Sequence, residues 1–189
     1  LAGNATFTLG GTNTAENVIN VAIPSLGTGG VTKVGGGTWV LAGANAYTGT
    51  TTISNGNLKL KANDVVSTVL PATNAVTFGS TSGFANGKLE FVGQPGVNNT
   101  QSLGALAYAS AGAHTITVTP GAGGTASLTF ANISTGGAGT LNIVGADFTN
   151  NRVTFTQVNA GAGSDGVLTR SVYWNGADFA YRQGGVLRA

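Results

Sequence analysis

One short phrase recurs along this chain: a glycine followed by a run in which polar and apolar residues alternate. It reads Gly37-Thr38-Trp39-Val40-Leu41, Gly56-Asn57-Leu58-Lys59-Leu60, Gly87-Lys88-Leu89-Glu90-Phe91 and Gly139-Thr140-Leu141-Asn142-Ile143. Self-similarity of this kind is the mark of stacked units, each too small to bury its own apolar face and so dependent on a neighbour above and below. The first two copies start 19 residues apart, which fits one coil of a solenoid whose strands pair from coil to coil at about 4.8 Å. A coil of roughly 20 residues predicts roughly nine coils and a column on the order of 40 Å long. Later spacings are irregular and predict insertions at the corners.

The rest of the chain supports strands and argues against helices. Alternating runs occur at 5–9, 18–23, 38–42, 50–54, 57–61, 88–92, 115–119, 126–130, 140–144 and 152–156, each bounded by turn-forming residues. The 32 glycines break any helical period and supply corners. One-residue alternation points Trp39 with Leu41, Leu58 with Leu60, Leu89 with Phe91, Leu128 with Phe130, Leu141 with Ile143 and Val153 with Phe155 inward. Thr38, Lys59, Lys88, Glu90, Thr129, Asn142 and Thr154 then face water. Alternation alone fits a sandwich equally well, so the solenoid reading rests on the repetition.

Residues 33–60 read KVGGGTWVLAGANAYTGTTTISNGNLKL. This stretch resembles the passenger-associated repeat of bacterial autotransporters. Lys33, Gly35, Gly37, Thr38, Leu41, Gly43, Asn45, Tyr47, Thr48, Gly49, Thr51, Ile53, Gly56, Leu58 and Leu60 fall on the usual phrase, with Trp39 in place of its leucine. Residues 139–148 and 172–181 look like glycine-rich surface proteins that carry the repeat. The resemblance implies an all-β, right-handed parallel β-helix, export across the outer membrane and an extracellular or outer-surface location. It also implies that residues 1–189 are one solenoid segment of a longer repetitive protein, with the repeat at 33–60.

Candidate chemistry is sparse. His114, the only histidine, lies on the strand 114–118 with no serine or carboxylate beside it in sequence, so it reads as structural. Six acids, Glu16, Asp64, Glu90, Asp147, Asp165 and Asp178, are scattered, and no D-x-D pair aims two carboxylates at one ion or sugar. Residues 161–166 satisfy G-x-G-x-x-G but lack the flanking strand and helix of a dinucleotide site and the tandem copies of a calcium roll. They read as a turn. Tyr47, Tyr173, Trp174 and Tyr181 are either corner packing or an exposed aromatic platform.

No catalytic, cofactor or metal residue is therefore assigned, and the chain reads as a non-enzyme. Its net charge of +2 on eight basic and six acidic residues gives no basic stripe for nucleic acid to follow, and no apolar run is long enough for a spanning helix. The absence of cysteine leaves burial and backbone bonding to stabilise the fold. The expected function is an extracellular scaffold, self-assembling through its ends or side faces into a fibre or surface layer. No charged or proline-rich cap is evident at 1–9 or 184–189. The alternative is an adhesin module whose Thr/Asn/aromatic face binds a glycan or a cell-surface ligand, and the weaker rival is a polysaccharide-acting enzyme.

Overall fold

The computed structural model describes residues 4–79, 85–108, 111–134, 139–145, 151–158, 166–167, 172–174, 178–179, 181–183 and 186–188. Among these there is no helix; short strands wind alternately into two sheets. Sheet A takes β1 (Phe7–Leu9), β3 (Val31–Lys33), β5 (Thr51–Ile53), β7 (Val76–Phe78), β9 (Asn98–Tyr108), β11 (Thr125–Ser134) and β13 (Asn151–Val158) in that spatial order. Sheet B takes β2 (Glu16–Ile19), β4 (Thr38–Leu41), β6 (Asn55–Lys61), β8 (Asn86–Val92), β10 (Ala113–Thr119), β12 (Thr140–Val144) and β15 (Val172–Trp174). Every neighbouring pair in these two series is parallel, so each strand hydrogen-bonds to its counterpart one coil away. That arrangement is a β-solenoid.

The column makes about five turns between β1 and β12, not the roughly nine coils that a 20-residue period predicts. The registers give the reason. Thr51 stands 20 residues after its partner Val31, but Val76 stands 25 after Thr51 and Leu106 stands 30 after Val76. Only the coil containing the recognised repeat keeps the short period. The others lengthen through wider corners, such as 62–75, or through longer strands.

Like residues stack on like along the axis. In sheet B the file Leu58, Leu89, Ile116, Ile143 runs through four successive coils, beside Leu60, Phe91 and Val118, and all are buried. Each apolar side chain thus finds an apolar neighbour about 4.8 Å above and below, which is how so narrow a core stays dry. The inward assignments for 58–60, 89–91, 128–130, 141–143 and 153–155 agree with this core. Trp39 is only half-buried: its partner on the next coil is Leu58, but on the preceding coil it is the polar Asn17; its indole Nε1–H donates to the Gly10 carbonyl at 2.7 Å.

Three strands lack the signal that alternation provides. β3 and β7 are three residues long, too short to show a period. β9 is the longest strand, yet its inward residues begin Asn99 and Gln101, both buried. Gln101 is satisfied by the corner of the preceding coil: its Oε1 accepts from the Val69 and Leu70 N–H groups, and its Nε2 donates to the Leu70 and Ser102 carbonyls. A polar residue with all its bonds made is compatible with the interior.

After β13 the direction changes. β14 (Gly166–Val167), β17 (Tyr181–Gln183) and β18 (Val186–Arg188) join sheet A antiparallel, with Val186 opposite Thr154, and β16 (Asp178–Phe179) joins β15 antiparallel. Thus the described β18 runs antiparallel to β13 at the end of the parallel ladder.

Candidate functional site

The repeat residues are mostly inside the column. Lys33 is 0% exposed, and its Nζ donates to the carbonyls of Val34, Gly35 and Asn55 at 2.9, 2.7 and 3.0 Å. All three ammonium protons therefore have a carbonyl, and the bond to Asn55 ties one coil to the next. Burial holds the Lys33 pKa below its ordinary value. Gly35 and Gly56 both have φ near +70°, and a Cβ on Gly56 would stand 2.5 Å from the Gly35 and Gly37 carbonyl oxygens and 2.7 Å from Lys33 Nζ. Glycine is required there to close the cage.

The second half of the repeat builds a corner clamp. Asn45 accepts from the Ile23 N–H and donates to the Gly43 and Val69 carbonyls, so one side chain joins three coils. The buried Tyr47 hydroxyl lies 2.9 Å from Thr51 Oγ1, which donates to Asn74 Oδ1 at 2.7 Å; Asn74 Nδ2 donates to the Gly49 carbonyl. Burial pushes the Tyr47 phenol well above its ordinary pKa. Gly37 donates to Gly11 and accepts from Asn57 across coils. Leu41, Ile53, Leu58 and Leu60 belong to the core, Thr38 is half-buried at the start of β4, and Thr48 is exposed.

The remaining candidates separate. His114 is buried and stacks on Phe78, ring centroids 5.0 Å apart, which gives it a place in the core. Asp64 accepts from Gln94 Nε2 at 2.8 Å at a corner. Asp147 and Asp165 lie outside the described residues, as do residues 161–165 of the glycine motif and the side chains of Tyr173, Trp174, Asp178 and Tyr181. Tyr47, being buried, is not part of an exposed platform. Among the described residues no group of three or more His, Cys, Asp or Glu is placed to hold a metal ion.

What the fold exposes is two outer faces of different chemistry. On sheet B, Lys59 Nζ lies 2.7 Å from Glu16 and 3.8 Å from Glu90, and Lys88 lies 3.3 Å from Glu90. Lys59 reaches Glu16 across the β4 rung, where Val40 is fully covered. The hydrogen bond from Lys59 is the main cause holding the Glu16 carboxyl below its ordinary value and the Lys59 ammonium above its own. The outer side of sheet A carries hydroxyls instead: Thr8, Thr32, Thr52 and Thr77 occupy one file through four coils. In the long strands the face widens into a plate. Thr100 and Ser127 share one file, Ser102, Thr129 and Thr154 another, and Thr125 Oγ1 donates to Asn98 Oδ1 at the near edge. Arg152 is the only charged outward residue on the sheet A strands β1, β3, β5, β7, β9, β11 and β13 among the described residues. At the plate's rim, residues 120–125 and Asn151 line an open depression of about 440 Å³.

Alternation in 126–130 and 152–156 already turns Thr129 and Thr154 to water, but the plate as a whole was missed. Its third row lies on β9, whose polar interior hid the strand. Cross-coil registers, which sequence spacing does not give, are what bring the rows together.

Comparison with known proteins places the repeat. The family model described as passenger-associated-transport-repeat matches residues 31–60. The adhesin BmaC autotransporter of Brucella suis biovar 1 (strain 1330) is 47% identical over 57 residues, which is 29% of this chain and 2% of that protein. The chain thus corresponds to a small fraction of that relative's length. No solved structure matches the chain. Residues 31–60 are a passenger-associated repeat of the autotransporter kind, and in this protein they form the clamped coils of a β-solenoid.

Proposed function

We propose that this chain is a segment of a cell-surface passenger that acts as a rigid adhesive scaffold, its column holding flat side faces out to a partner surface. Extracellular or cell-surface display follows from the passenger repeat and the adhesin relative. The observation that carries the adhesive reading is the hydroxyl-bearing outer face of sheet A, on which Arg152 is the one charged residue described from β1 to β13 of that sheet, set on a backbone whose repeat residues are mostly turned inward. The repeat match and the adhesin relative support a non-enzymatic role. We read residues 1–189 as one solenoid segment of a longer repetitive protein, wound right-handed as parallel crossovers are.

The test is retention on cells. Beads coated with the purified chain should bind cell monolayers saturably, and soluble chain should compete. Retention no better than albumin-coated beads on every cell type would remove the adhesive role. The second reading, a fibre growing end to end, has the parallel strand edges of β1 and β2 in its favour. The antiparallel β14, β16, β17 and β18 count against propagation at the other end. Negative-stain microscopy over a concentration series decides it: filaments lengthening with concentration support the fibre, and discrete particles throughout exclude it.

A further inference from the structure

We propose that the widened outer face of sheet A is a binding site for a neutral, hydroxyl-rich glycan, seated across the plate and the depression at its rim; this rests on the adhesive reading above. Four hydroxyls, from Thr100, Ser127, Ser102 and Thr129, form two files on adjacent rungs, with Thr154 extending the second file by a rung. Rungs lie about 4.8 Å apart and files about 7 Å apart, so the plate spans the length of two or three sugar rings. Each hydroxyl supplies one donor and two acceptors, the same inventory that a sugar hydroxyl presents in return.

Charge selects the class. An anionic glycan would need several cations, and among the described outward side chains of β9, β11 and β13 the only cation is Arg152, on the rung beyond Ser127. On the opposite face Lys59 and Lys88 are already engaged with Glu16 and Glu90. The depression supplies the concavity that a flat sheet lacks, and its volume of about 440 Å³ falls within the roughly 300–1,000 Å³ typical of small-ligand sites. Its lining of glycine, alanine, proline, Thr125 and Asn151 presents backbone polar groups and little apolar bulk, which suits a hydrated sugar better than an apolar ligand. Neutral hydrogen bonds of this number hold a single short glycan weakly, so useful retention requires multivalent display.

The experiment is an array of immobilised neutral oligosaccharides, with sialylated and uronic-acid glycans as the anionic arm, probed with the 189-residue chain clustered on beads. Neutral glycans should be retained, and Thr129→Glu should lower retention about tenfold or more. Thr129→Val, which keeps the shape and strand preference without the hydroxyl, should lower it less, and Lys59→Gln on the opposite face should leave it unchanged. An unchanged far-ultraviolet circular dichroism spectrum and urea midpoint would show that each variant is folded. Retention of neutral glycans that Thr129→Glu does not affect would overturn the plate as the site, and retention of anionic glycans alone would overturn the ligand class. Beads that bind cells but no glycan would overturn this inference while leaving the adhesive scaffold standing; beads that bind neither would overturn both.

Discussion

In the coils that carry the repeat, sheet A strands β3 and β5 are three residues long, whereas β9, β11 and β13 have eleven, ten and eight. The short strands share few ladder hydrogen bonds, and there the side chains join the coils: Lys33 to the Asn55 carbonyl, Asn45 to Ile23 and Val69, Thr51 to Asn74. The long strands have extended ladders and an aromatic interior, including Phe130 stacked on Phe155 at 5.5 Å. A narrow coil needs polar clamps at its corners, and a wide coil can rely on its backbone and core. Width also creates outward surface, so the wide coils are the ones that offer a plate.

The largest expected effect breaks the wide region. Phe130→Ala should cost about 3–5 kcal/mol in urea unfolding, with amide exchange rising first in β11 and β13. An equal rise in β3 to β6 would show that the two regions are not separate in stability. Next, Lys33→Met removes the cage's cation and strands buried carbonyls, and should cost about 2–3 kcal/mol. A neutral result would mean that the desolvation cost of the ammonium cancels its bonds, and that the clamp sets geometry without adding stability.

Tyr47→Phe should cost about 1 kcal/mol at neutral pH through the lost bond to Thr51. Because the folded phenol titrates above its unfolded value of 10.0, its stabilisation is complete below that pH and is lost as the pH rises further. The wild-type column should therefore weaken above about pH 10 more steeply than Tyr47→Phe does. Identical alkaline profiles would refute burial of the phenol. Smallest is Lys59→Gln, at or below about 1 kcal/mol and shrinking with salt. Glu16 has a depressed folded pKa, so its contribution is present above 4.5 and is lost as the pH falls through the folded value. NMR titration should show the Glu16 carboxyl moving back up in the variant; no movement would mean that the pair does not persist in solution.

The β-solenoid was legible because stacking requires each coil to reuse one pattern, and 33–60 preserves that pattern residue by residue. The inward positions of Leu58, Leu89, Leu128, Leu141 and Val153 followed from alternation alone. The number of turns did not, because corner length is set by what the corner packs against: 62–75 is long where Val69 and Leu70 dock on Gln101. Neither did β9, whose buried amides look like surface residues until their partners one coil away are seen.

The sequence by itself determined that the chain is β, repetitive and stacked, and which residues form its motif, since glycine spacing and alternation are local properties of the backbone. Only the tertiary structure decided that Lys33 is buried in a carbonyl cage, that Glu16 and Glu90 share Lys59, and that Thr100, Ser127 and Thr129 form one plate. The physical reason is common to all three. Neighbours across a parallel ladder lie about 4.8 Å apart in space but, in this protein, 19 to 31 residues apart in the chain, and that offset is fixed by corners whose length no local pattern records.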